Sequence, residues 1–130
     1  MDLTYTKEVL KHLRSPKNMG EIKKADGVAT VGNRVCGDIM KMYLKIAKND
    51  KHEEYISDIK FQTLGCGAAI ATSSTLTTLA KGKTIEEALK ISKDDIIQAL
   101  GGLPTIKIHC SVLADEALKK AVEDYQSKLL

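Results

Sequence analysis

A chain of 130 residues has the length of one domain and can bury about two thirds of the surface it exposes unfolded. Its 43% hydrophobic and 28% charged residues, with only 2 Pro and 9 Gly, describe a globular chain and exclude a disordered or fibrous one. A net charge of +3 without a dense Lys/Arg run, and few aromatics (Tyr5, Tyr43, Tyr55, Phe61, Tyr125), offer neither a phosphate-tracking groove nor a base-stacking platform, so no nucleic acid is expected as a partner.

No membrane is expected either. Of the twenty uncharged residues 61–80, ten are Gln, Thr, Ser or Gly, which excludes an apolar membrane-spanning helix. The start, Met1-Asp2-Leu3-Thr4-Tyr5-Thr6-Lys7, lacks the apolar run of a secretory signal. The three cysteines, Cys36, Cys66 and Cys110, are odd in number and 30 and 44 residues apart, which does not make a disulfide framework. A single cytoplasmic domain over 1–130 is the reading.

In chain order, Thr6 is placed to cap a first helix with Val9, Leu10 and Leu13 on one face, ended by Ser15-Pro16. Val28, Thr30 and Val31 suggest a strand over 27–33, with Gly32-Asn33 as its turn. Over 38–47 the residues Met40, Met42, Leu44 and Ile46 alternate with Lys41, Tyr43 and Lys45, the period of a half-buried strand. After a charged loop over 48–54, Ile59, Phe61 and Thr63 alternate with Asp58, Lys60 and Gln62 in a strand expected to return antiparallel.

From there the pattern is helical. Residues 68–80 are rich in Ala, Ser and Thr, and Thr84 and Ser92 each precede an acid by three residues in the manner of a capping box. Gly101-Gly102 closes the second of these helices. A last helix is expected from near Ser111, with Leu113, Ala117, Leu118, Ala121, Val122 and Tyr125 on one stripe. Strands followed by helices predict an α+β fold, a small three-stranded antiparallel sheet with helices packed on one side.

Each cysteine falls between elements. Cys36-Gly37-Asp38 stands at the turn into the second strand, Gly65-Cys66-Gly67 joins the third strand to a helix, and His109-Cys110-Ser111 is expected just ahead of the last helix. Helix N-termini favour thiolates at Cys66 and Cys110. Three thiolates with a carboxylate or imidazole suit zinc and an iron-sulfur cluster equally, while inert buried thiols or a lone redox cysteine remain as alternatives. The spacing excludes a Cys-x-x-Cys zinc ribbon or thioredoxin-type site and a zinc deaminase. His12 and His52 read as surface residues, which leaves no partner for a papain-like nucleophile.

Three segments carry a resemblance: Val31-Gly32-Asn33-Arg34-Val35-Cys36-Gly37-Asp38-Ile39-Met40-Lys41, Phe61-Gln62-Thr63-Leu64-Gly65-Cys66-Gly67-Ala68-Ala69-Ile70-Ala71 and Leu103-Pro104-Thr105-Ile106-Lys107-Ile108-His109-Cys110-Ser111. Together they resemble, in order and approximate spacing, the cysteine motifs of the IscU family of iron-sulfur cluster scaffolds, and residues 5–20 resemble that family's N-terminal helix and loop. The resemblance implies a SufE/NifU-like fold and a non-enzymatic scaffold. On it a 2Fe-2S cluster is assembled from iron and from persulfide sulfur supplied by a cysteine desulfurase, then passed to apo iron-sulfur proteins. By motif, Cys36, Cys66 and Cys110 match the metal-ligating cysteines, Asp38 and His109 the two further positions at the metal, Cys110 the usual persulfide acceptor, and Lys107 a lysine near the site. Zinc in place of the cluster, and a homodimer with cluster bound, are compatible with it.

The sequence departs from the family at Leu103-Pro104-Thr105-Ile106-Lys107, where many members have a second proline in a segment read by an Hsp70-type chaperone; its loss puts that partner in question. The loop over 48–54 reads as longer than usual. A further domain after Leu130, and the long insertion of zinc-dependent SufU proteins, are not expected. Two rival readings use the same residues: a zinc-binding sulfur-transfer partner of a desulfurase, and a structural zinc domain acting as an interaction module.

Overall fold

A computed structural model describes residues 5–33 and 38–129. The element order is α1 (Lys7–Arg14), β1 (Gly27–Asn33), β2 (Asp38–Lys48), β3 (Glu54–Leu64), α2 (Gly67–Ala80), α3 (Ile85–Leu89), α4 (Lys93–Ala99), a 3-10 turn (Thr105–Lys107) and α5 (Ile108–Ser127). The strands form an antiparallel sheet in the order β1-β2-β3, and α5 and α2 pack on it and on each other, so the α+β expectation holds.

The sheet follows from its period. Met40, Met42 and Leu44 are fully buried, and Met42 lies between Ala29 on β1 and Phe61 on β3, so one inward row runs across all three strands. A bulge between Lys45 and Ile46 resets the register so that Ile46 pairs with Ile56; Ile56 and Ile59, three residues apart, are then both fully buried. Residues between α1 and β1 bridge the sheet's two ends: the N–H of Phe61 donates to the Asn18 carbonyl at 2.9 Å, and the Asp26 carboxylate accepts from the N–H of Ile46 at 2.7 Å.

The helix α2 is buried on nearly every side, which its small residues permit. Its hydroxyls are occupied locally and across the core: Thr77 donates to the Ser74 carbonyl at 2.9 Å, and Ser73 donates to the Met40 sulfur at 3.0 Å. Both expected capping boxes form, at Thr84 with Glu87 and at Ser92 with Asp95. Gly101, at φ 73°, takes the left-handed conformation that ends α4.

Four expectations are corrected. Gly32 and Asn33 are not a turn; they stay paired with Ile39 and Asp38, because the ladder of β1 and β2 runs to the end of both strands. Leu10 is exposed, since only Val9 and Leu13 of α1 reach the core. The last helix begins at Ile108, one turn before Ser111: Pro104 opens a 3-10 turn that runs straight into α5, and the Ser111 hydroxyl donates back to the Ile108 carbonyl at 2.6 Å instead of capping. His12 is half-buried, with Nδ1 2.6 Å from the Ser74 hydroxyl, whereas His52 is exposed as expected.

Candidate metal centre

Cys66 is the N-cap of α2, set there because β3 ends at Leu64 and the helix starts at Gly67. An added Cβ at Gly67 would meet Leu13 at 3.2 Å and Tyr5 at 3.8 Å, so this entry is packed against the N-terminal segment. Cys110 lies in the first turn of α5. Packing of α2 against α5 brings the two sulfurs to 3.9 Å across 44 residues of sequence. The fully buried Thr72 hydroxyl donates to the Ala69 carbonyl at 3.2 Å and to the Cys110 carbonyl at 3.3 Å, tying that first turn to α2.

The separation is informative. Two thiolates on one tetrahedral ion with bonds of about 2.3 Å lie about 3.8 Å apart, and the observed 3.9 Å fits that edge. The His109 ring adds a third donor beside them. Its Nδ1 lies 3.1 Å from the Ile106 carbonyl, which can only accept, so Nδ1 carries the proton and Nε2 turns a lone pair to the Cys110 sulfur at 3.6 Å. This is the second-sphere arrangement that orients a ligating imidazole. The sulfur pair fits two corners of a tetrahedral shell, and among the described residues no group of three Cys, His, Asp or Glu side chains closes it.

Two further side chains set the electrostatics. The Lys107 ammonium is held above its ordinary pKa, first by the charge of Cys66, with which it also hydrogen-bonds, and then by Tyr5 and Cys110. The Tyr5 hydroxyl is also raised, chiefly by burial and then by the charge of Cys66, so it stays protonated beside the thiols. Sequence reasoning missed Tyr5 as part of this neighbourhood; a single aromatic ahead of a helix carries no signal of what lies across the fold.

Cys66, His109, Cys110 and Lys107 are thus gathered at one end of the molecule. Cys36 lies outside the described residues, and Asp38 is described only through its backbone, which pairs with Asn33. Among the described residues no three Cys, His, Asp or Glu side chains form a complete metal site. Access also differs between the thiols: Cys110 is 0% exposed, while Cys66 is partly exposed. Leu64 and Ile106, two residues before Cys66 and four before Cys110, are large apolar side chains left 72% and 62% exposed near the site.

Comparison with known proteins places the chain in a family. Residues 4–130 match the family described as NifU-like N terminal domain. The chain is 57% identical over 124 residues to the iron-sulfur cluster assembly scaffold protein IscU 1 of Archaeoglobus fulgidus, covering 95% of this chain and 78% of that protein. It is 48% identical over 127 residues to the mitochondrial iron sulfur cluster assembly protein 1 of Debaryomyces hansenii, covering 95% and 69%. Among solved structures, the N-terminal NifU-like protein from Brucella abortus superposes with a TM-score of 0.73 at 18% identity over 94% of each chain, a likeness of fold. The chain belongs to the NifU-like N-terminal domain family.

Proposed function

We propose that this protein is a scaffold on which a 2Fe-2S cluster is built from iron and from persulfide sulfur delivered by a cysteine desulfurase, and from which the cluster passes to apo iron-sulfur proteins. The observation that carries the reading is the pair of sulfurs 3.9 Å apart at the starts of two helices, in a chain 57% identical to a protein named as such a scaffold. The cluster is cargo, so its ligands must both hold and release it. Cys36, Cys66 and Cys110 serve as thiolate ligands, with Asp38 or His109 completing the site. A single oxygen or nitrogen donor in place of a fourth thiolate makes the set more labile than an all-cysteine one.

Cys110 is the residue on which sulfur is held for assembly, and Lys107 offsets negative charge as thiolates and persulfide accumulate. The exposed Leu64 and Ile106 beside the site offer apolar area to the desulfurase. Zinc occupies the thiolates in the isolated protein, and the chain works in the cytoplasm; among the described residues no helix is long and apolar enough to cross a membrane.

Anaerobic incubation with ferrous iron, a cysteine desulfurase, free cysteine and a dithiol reductant, which supplies the electrons that take persulfide sulfur to sulfide, tests the reading. The scaffold yields a visible chromophore with acid-labile sulfide equal to iron. Sulfur bound to protein without iron-sulfide colour would instead identify a sulfur-transfer partner.

A further inference from the structure

The two thiols that the fold brings together are unequal in access. Cys110 is 0% exposed, and its sulfur has Cys66 Sγ at 3.9 Å and His109 Nε2 at 3.6 Å against it, so a donor from outside does not meet it directly. Cys66, 3.9 Å away, is partly exposed at the N-cap of α2 beside the Lys107 ammonium. We propose that sulfur enters the site on Cys66 and reaches Cys110 by transfer from one thiol to the other. This rests on the reading of the protein as a persulfide-loaded scaffold and specifies the route.

In the first step the Cys66 sulfur attacks the terminal sulfur of the donor's persulfide. The donor's sulfur-sulfur bond breaks, its electron pair leaves with the donor thiolate, and a persulfide forms on Cys66. In the second step the Cys110 sulfur attacks that terminal sulfur. The bond to Cys66 breaks, its electron pair stays on the Cys66 sulfur, and the proton given up by the Cys110 thiol ends there. Each step moves one sulfur atom at constant total oxidation state, so neither oxidant nor reductant is consumed.

The two sulfurs are neighbours, but at 3.9 Å the space between them is already filled by the sulfurs themselves. A terminal sulfur about 2.0 Å from Cys66 Sγ therefore requires the Cys66 side chain to turn away from Cys110 until the three sulfurs line up. Lys107, beside Cys66, stabilises the negative charge that develops on the Cys66 sulfur as the bond breaks, before the proton arrives.

The test is a time course with reduced, metal-free protein and a persulfide-loaded cysteine desulfurase, quenched with an alkylating agent and mapped by mass spectrometry. In the parent, label on Cys66 should rise first and label on Cys110 should follow as it falls. Cys110→Ser should accumulate persulfide on Cys66, and Cys66→Ser should load Cys110 about tenfold more slowly than the parent or worse. Cys110 labelled ahead of Cys66 in the parent overturns the relay, as does Cys66→Ser loading Cys110 at the parent's rate. Sulfur on none of the cysteines of the parent removes the scaffold reading itself.

Discussion

At the scale of single residues, the proposed ligand set combines soft thiolates with harder donors. Asp38 follows Cys36 by two positions, and its carboxylate is the more exchangeable kind of ligand. Asp38→Ala should therefore lengthen the life of an assembled cluster while slowing its delivery to an apo-ferredoxin, both followed by visible absorbance; faster loss with normal delivery would remove Asp38 from release. His12 makes a second residue-scale prediction. Burial lowers its pKa, Lys11 and Lys17 act in the same direction and Glu8 opposes, while Ser74 takes the N–H of Lys17 at 2.8 Å and faces His12 Nδ1. The folded state thus favours the neutral ring, and its contribution is present above the unfolded pKa near 6.5 and lost as pH falls through the lower folded value. Thermal unfolding between pH 7.5 and pH 5 should show a drop larger by about 2–4 °C in the parent than in His12→Gln. Equal slopes would show that His12 does not contribute.

At the scale of elements, most boundaries were legible because caps and periods act locally. The alternation of Met40, Met42, Leu44 and Ile46 identified β2, and the spacings at Thr84 and Ser92 located α3 and α4. The α5 start was not legible, since Ser111 has the chemistry of a cap and only the 3-10 turn after Pro104 shows that the helix is already under way. Thr6 joins two elements: its side chain accepts from the N–H of Val9 and donates to the carbonyl of Leu100. Thr6→Ala should cost about 1–2 kcal/mol in urea unfolding, the upper part reflecting the second bond. Gly27 is a stricter case. A Cβ there would meet the Ala121 carbonyl at 2.3 Å, backbone against backbone, so Gly27→Ala must part β1 from α5 and should cost about 1–3 kcal/mol or more.

At the scale of the whole molecule, an ion held by the two thiols would be linked to folding through the helix pair that carries them. A ligand that binds only the folded state at 100 times its dissociation constant adds about 2.7 kcal/mol of stability. Zinc should accordingly raise the unfolding temperature of the reduced protein, a chelator should reverse the gain, and Cys66→Ser should lose most of it. Identical melting with and without zinc would show that the two thiols, although 3.9 Å apart, do not bind the ion.

The sequence by itself determined the fold class, nearly every element and the three cysteine motifs, because those rest on period, caps and composition within short windows. It also placed Cys66 and Cys110 at helix starts, where anions are favoured. Only the tertiary structure decided that these two sulfurs meet, that Cys110 is the buried one and Cys66 the accessible one, and that Tyr5 shares their neighbourhood. It also decided that Ile56 joins the core through a bulge and that His12 is tied to Ser74. These outcomes depend on contacts between residues far apart in the chain. They follow from how closely the small side chains of α2 let α5 and the N-terminal helix approach, a distance that no local pattern encodes.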